Sequence, residues 1–206
     1  MLIGIDFDNT IVSYDSLFHK VAREQGAVPD TTPQNKVAVR DHLRAIGKED
    51  IWTEMQGYVY GARMAEAEAY PGVIDFFRWA RAVGLPLCIV SHKTLHPFIG
   101  PKYDLHQAAR SWIETRLVDQ QGPLIARERV FFELTKEAKW NRIGATGCGW
   151  FIDDLPEILL AGHFPAGTER ILFDPESHHA AVTGLKRMTA WAEIQRHFEA
   201  QCSPKH

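Results

Sequence analysis

The sequence predicts an α/β protein, a doubly wound and mostly parallel sheet with an inserted helical cap, and three observations carry that prediction. Five short apolar runs, Leu2 to Ile5, Leu87 to Val90, Val130 to Phe132, Trp150 to Ile152 and Ile171 to Phe173, each end in polar residues and alternate with helical patterns, the signature of parallel strands covered by helices. The stretch between the first and second runs is long and carries helical signals with no strand signal. With 206 residues, 45% of them hydrophobic, the chain suffices for one well-buried core and a modest insertion, and is short for two full domains.

Taken in order, the first run breaks at Asp6, and the long exception extends from about Tyr14 to Ala69. It reads as helices over Ser16 to Gln25, Asn35 to Ile46 and Ile51 to Ala67, broken at Pro29 to Pro33 and at Gly47 to Asp50. A βα connection normally takes only a few residues, so about fifty extra ones imply a helical subdomain inserted near the C-terminal edge of the first strand. In open α/β sheets that edge binds ligands. The domain boundaries that follow are 1–13 with 70–206 for the core and 14–69 for the cap. Beyond the cap, Val73, Phe76, Phe77 and Ala80 share one face of a helix that Gly84 stops. Asp104 to Leu117, Thr135 to Ile143 and Leu155 to Ala161 read as the later helices, and no internal repeat or low-complexity tract interrupts them.

Composition narrows the function. Lys and Arg number 23 against 26 Asp and Glu, a net charge of −3, which supplies no global attraction to nucleic acid or anionic lipid. No basic and aromatic tract suits a nucleic acid, and no apolar run is long enough to span a bilayer. Leu2 to Ile5 reads as a strand and not as a signal peptide. Three scattered cysteines, Cys88, Cys148 and Cys202, are too few for a disulfide framework or a zinc cluster and fit a reducing cytoplasm, the expected location. His178 and His179, the one adjacent histidine pair, read as a solvated loop.

The first strand ends in Asp6-Phe7-Asp8-Asn9-Thr10. Alternation along an extended segment turns Asp6 and Asp8 to one side. Two such charges about 4 Å apart repel by about 4 kcal/mol at an effective dielectric of about 20, and need a cation or a proton. A later strand ends in Asp153-Asp154, with Glu157 one helical turn on. Parallel strands bring their C-terminal ends together, so these acids form an all-oxygen set of the kind that suits Mg2+, although either aspartate can serve only to cap the next helix. Leu87 to Val90 ends in Ser91-His92-Lys93, where a hydroxyl and backbone N–H groups can hold phosphoryl oxygens. Lys136 and Lys139 lie in the first turn of a helix that starts at the same sheet edge. The spacing to Asp153 suits either lysine, with Lys139 preferred. In the insert, Trp52, Tyr58, Tyr60, Arg40, Arg44 and Arg63 are candidates for lining a pocket, Trp52 and Tyr58 more as core.

Together these motifs resemble, in order and context, the four motifs of the haloacid dehalogenase-like hydrolases: strand-Asp6-x-Asp8-x-Thr10, strand-Ser91, a helix-start lysine and strand-Asp153-Asp154. Tyr70-Pro71-Gly72-Val73 through Lys93 is similar to that family's approach to its second motif, and Tyr14 to Ala69 stands where the family carries a small helical cap. The resemblance implies a Mg2+-dependent phosphatase in which Asp6 is the nucleophile and forms an aspartyl-phosphate, and Asp8 is general acid and base. It implies Mg2+ held by Asp6, the Asp8 carbonyl and Asp153, with Asp154 or Glu157 in support. Ser91 and Lys139 or Lys136 would bind phosphoryl oxygens, beside Thr10. His92 and Lys93 depart from the commonest pattern and are candidates for a substrate's second anionic group. An acid at position 8 argues against dehalogenation, because the family's dehalogenases lack it. The expected partner is a small phosphorylated metabolite. The alternatives are a phosphotransferase, a phosphoacceptor or a binding protein on the same fold, and the order of the acids argues against a receiver-type phosphoacceptor.

Overall fold

The computed structural model describes residues 1–202. Its elements are, in order, β1 (Ile3–Ile5), β2 (Val12–Ser13), α1 (Asp15–Glu24), α2 (Lys36–Ala45), α3 (Glu49–Tyr60), β3 (Glu68–Ala69), α4 (Val73–Ala82) and β4 (Leu87–His92). They continue with α5 (Leu105–Arg116), β5 (Val118–Asp119), β6 (Gly122–Pro123), β7 (Val130–Glu133), α6 (Lys136–Thr146) and β8 (Trp150–Asp153). The last four are α7 (Pro156–Leu159), β9 (Glu169–Phe173), β10 (Lys186–Met188) and α8 (Trp191–Cys202). No helix among the described residues is long and apolar enough to cross a membrane.

Two compact units emerge. The first comprises Met1–Ile11, Ala69–His92 and the chain from Asp119 onward, and the second Val12–Glu68 with Lys93–Val118. The first unit is a six-stranded sheet in the order β10-β9-β8-β1-β4-β7, with every pairing parallel. Its central strands are continuous apolar runs because both faces are covered by helices. Ile3, Ile5, Phe151, Ile152, Ile171 and Leu172 are fully buried, each contributing about 1.5–3 kcal/mol relative to exposure. One face gathers Phe151, Leu159, Phe164 and Ile143 with the thiols of Cys88 and Cys148. Another aromatic layer joins Phe76, Trp191, Phe173 and Tyr70, with successive ring centroids 5.1, 5.8 and 5.0 Å apart.

The sixth strand was not expected from the sequence. Lys-Arg-Met is short and polar, as suits an edge, and only its pairing with β9 makes it a strand.

The second unit is helical. Phe18 of α1 packs on Trp52 and Tyr60 of α3, with centroids 4.9 and 5.6 Å apart, and the Tyr14 hydroxyl donates to Met64 Sδ at 3.4 Å. Residues 93–118, which the sequence pattern assigns to the core, group here. The reason is local: Trp112 of α5 donates its indole N–H to the Ala67 carbonyl at 2.9 Å, and the loop before α5 lies on α3 at two glycines one turn apart. A Cβ on Gly57 would stand 2.6 Å from Pro97 Cβ, and one on Gly61 2.5 Å from Tyr103 Cβ. Of the insert's candidate pocket residues, Trp52 is buried. Arg40, Arg44 and Arg63 pair with carboxylates of this unit, Asp41, Glu49, and Glu24 and Glu66.

Candidate active site

The site begins with register. β1 lies between β8 and β4, with Ile5 beside Ile152 on one side and Ile89 on the other. Chain order reverses across β1, the switch point where open α/β sheets leave a crevice beyond the strand ends. The Asp6 N–H donates to the Ile152 carbonyl at 2.9 Å, so the next residue on each of these two strands, Asp6 and Asp153, is carried to the same edge.

Past Asp6 the chain turns sharply, with the Ile11 N–H on the Phe7 carbonyl at 3.0 Å and Asn9 at φ 57°, a left-handed conformation asparagine tolerates. Trp191 of α8 fixes this turn by donating its indole N–H to the Thr10 carbonyl at 3.0 Å. Nothing near the motif in sequence announced Trp191, 181 residues away.

Between Asp6 and Asp153 stands Lys139. Its Nζ is 2.6 Å from Asp6 Oδ1 and 2.6 Å from Asp153 Oδ2, and all three residues are buried. Asp153 also closes the turn before α7, its Oδ1 accepting the Leu155 N–H at 2.9 Å. Burial pushes the Asp6 carboxyl up to about 7 against the pull of Lys139. Burial also opposes the Lys139 ammonium, but the fields of Asp153 and Asp6 and their hydrogen bonds outweigh it and raise its pKa above the ordinary lysine value. Lys136, the other candidate, is half exposed and lies 3.5 Å from Glu157.

A cavity of about 80 Å³, room for several waters, is lined by Asp6, Asp8, Ser91, His92, Lys136, Lys139 and Asp154, among others. His92 is partly buried there, which lowers its pKa. Thr10 does not line it. Its hydroxyl is fully buried and donates to Asp154 Oδ1 at 3.3 Å, orienting that carboxylate. Lys93 belongs to the helical unit.

Carboxylate oxygens of Asp6, Asp153 and Asp154 lie within 4.8 Å of one another. Three acids against the one buried ammonium leave an excess of negative charge, and the all-oxygen donor set fits a hard divalent cation such as Mg2+. The Asp8 carboxylate is not in this trio.

No protein-family model matches the sequence, and no curated protein matches it. Solved structures do. A haloacid dehalogenase (HAD) family hydrolase of Deinococcus radiodurans R1, with bound phosphate and sodium, superposes with a TM-score of 0.57 at 19% identity, over 100% of this chain and 98% of that one. A predicted phosphoglycolate phosphatase of Haemophilus somnus 129PT gives 0.55 at 17%, over 96% and 97%. A dehalogenase gives 0.57 at 11%, over 95% of each chain. The chain has the haloacid dehalogenase-like fold. That fold places the Asp6 strand at the centre of the sheet and the lysine-bearing α6 directly before the strand of the second acidic pair, as the order of motifs implied.

Proposed function

We propose that this protein is a Mg2+-dependent phosphatase that hydrolyses a small phosphate monoester through an aspartyl-phosphate on Asp6. The observation that carries the reading is the buried Asp6–Lys139–Asp153 arrangement, at a cavity that Asp8 and Ser91 also line. In support, a neighbour in fold was solved with phosphate bound and another is described as a predicted phosphoglycolate phosphatase.

In this mechanism an Asp6 carboxylate oxygen attacks phosphorus, and the bond from phosphorus to the ester oxygen breaks as Asp8 gives that oxygen its proton. Asp8 then takes a proton from water, whose oxygen attacks phosphorus. The bond to Asp6 breaks and inorganic phosphate leaves, restoring both carboxyl groups. Ser91 and Lys139 hold the equatorial phosphoryl oxygens, where fixed donors act most strongly as charge spreads in the transition state. Asp6, Asp153 and Asp154, with the Asp8 carbonyl, would hold Mg2+, which when bound neutralises phosphoryl charge.

The test is release of p-nitrophenol from its phosphate ester, with Mg2+ and with EDTA. Mg2+-dependent release that falls about 10³-fold or more in Asp6→Asn is the expected result. Wild-type activity in Asp6→Asn, or turnover of 2-chloropropionate without metal and none of the phosphate ester, would overturn the reading.

A further inference from the structure

At the edge of the six-stranded sheet where β4 begins, a second cavity of about 340 Å³ lies wholly within the first compact unit. Its walls are the turn Gly84-Leu85-Pro86 between α4 and β4, and the connection from Pro123 to Ala126 ahead of β7. Phe77, Leu85, Leu87, Leu124 and Ile125 supply a buried apolar lining. Leu87 stands four residues before Ser91 on β4, about 13 Å away at the rise of a strand. This cavity and the one at Asp6 are therefore separate places.

Both walls are fixed before any ligand arrives. The Leu85 N–H donates to the Ala80 carbonyl at 2.8 Å, the Ile3 N–H to the Pro86 carbonyl at 3.1 Å, and the Arg129 N–H to the Ala126 carbonyl at 3.0 Å. Pro86 and Pro123 lock their own φ angles. A preformed wall spares a ligand the cost of ordering it.

Two guanidinium groups and no acidic side chain line the cavity. Arg81 is engaged. It donates to the Asp119 carboxylate and, at 3.5 Å, to the Pro123 carbonyl, which ties one wall to the other. Arg129 makes no ion pair or side-chain hydrogen bond among the described residues. Burial raises the pKa of the Cys88 thiol on β4, and the Arg129 charge is among the influences that oppose the rise, so this exposed guanidinium lies within electrostatic reach of that strand. An apolar hollow of this size suits a small organic molecule. An uncommitted guanidinium at its wall selects one that ends in a carboxylate, whose two oxygens match the fork of N–H donors.

We propose that this cavity binds a small carboxylate with an apolar body, the body against Phe77, Leu85 and Leu124 and the carboxylate on Arg129. The site does not depend on the phosphatase reading, and either can fail without the other.

Titration of isotope-labelled full-length protein with phenylbutyrate, followed by two-dimensional NMR, tests the site, with phenylbutanol as the uncharged control. Binding in the millimolar range or tighter is expected, with the largest shifts at the amides of Gly84, Leu87 and Ala126. The alcohol should bind at least about tenfold more weakly. Arg129→Met, at an exposed position, should abolish that preference. Ala126→Phe, which puts a ring into the hollow from an exposed residue in extended conformation, should weaken both ligands. No saturation of wild type up to about 20 mM, shifts centred on other residues, or a preference for the acid that survives in Arg129→Met overturns the proposal.

Discussion

Replacing Lys139 with Met keeps the length of the side chain and deletes its charge. Two hydrogen bonds of 2.6 Å are lost, to Asp6 Oδ1 and Asp153 Oδ2, and two buried carboxylates remain with oxygens within 4.8 Å of each other. At that separation two full charges repel by about 3.5 kcal/mol at an effective dielectric of about 20. Removing one partner from a buried ionic group typically costs about 3–5 kcal/mol. The loss depends on pH in a direction the structure sets. Burial already holds the Asp6 carboxyl near 7, above the ordinary 3.8. A raised carboxyl favours the protonated native state, so its contribution is whole below about pH 4 and is lost as pH rises through about 7. Without the ammonium the carboxyl rises further and Asp6 is protonated more readily, which relieves the repulsion at low pH. Lys139→Met is therefore expected to cost about 3–5 kcal/mol at pH 8 in EDTA, a fall in Tm of about 6–20 °C for a chain of this size. At pH 5, against wild type at the same pH, the loss should be clearly smaller. Mg2+ at pH 8 should recover part of it. Thermal unfolding followed by circular dichroism measures all three. A Tm loss under about 2 °C at pH 8, or equal losses at the two pH values, would refute the placement of the ammonium between the two acids.

Two further outcomes test the units separately. Gly57→Ala on α3 gains up to about 1 kcal/mol of helix propensity, but its Cβ would meet Pro97 Cβ at 2.6 Å, and such overpacking costs about 1–3 kcal/mol. Net destabilisation in thermal unfolding is expected, and stabilisation would show that the loop does not rest on α3 there. In the core, burial pushes the Cys88 thiol up to about 12 and raises that of Cys148, whereas Cys202 is exposed. Ellman's reagent at pH 8 should therefore titrate one thiol in the native protein and three in denaturant, and prompt reaction of all three without denaturant would contradict the buried placement.

How much of this was legible in the sequence depends on whether a residue's role is set locally. The central strands were readable because strands buried on both faces must be apolar throughout, and Asp6 and Asp153 stood out as the acids at which two such runs end. The choice between Lys136 and Lys139 was less so, since both occupy the first turn of α6. A local signal did exist: Ile143 lies four residues after Lys139, and these two form the buried stripe of the helix. The place of residues 93–118 was not readable, because Leu105, Ala109, Trp112 and Ile113 show that α5 has an apolar face without showing what that face meets. β10 failed for a related reason, its pairing being with a strand and not a property of Lys186–Met188.

On the proposed reading, the burial of Asp6 supplies a reason for the arrangement to depend on a divalent cation. A carboxyl held near 7 is protonated for much of the time at neutral pH, and a protonated carboxyl is a poor nucleophile. Moving Asp6 into water would restore its charge but surrender the fixed donors that a phosphoryl group needs. One buried ammonium already shares its attraction between Asp6 and Asp153, and Asp154 adds a third negative charge nearby. A second positive charge at the trio lowers the Asp6 pKa while leaving Lys139 in place. On the proposed reading, added Mg2+ therefore acts on the nucleophile before any substrate arrives, and the acidic limb of the kcat/KM profile should move to lower pH as Mg2+ is raised. The same limb at saturating and limiting Mg2+ would mean that Asp6 is kept ionised by the protein alone, and the need for a cation would have to be sought in substrate binding instead.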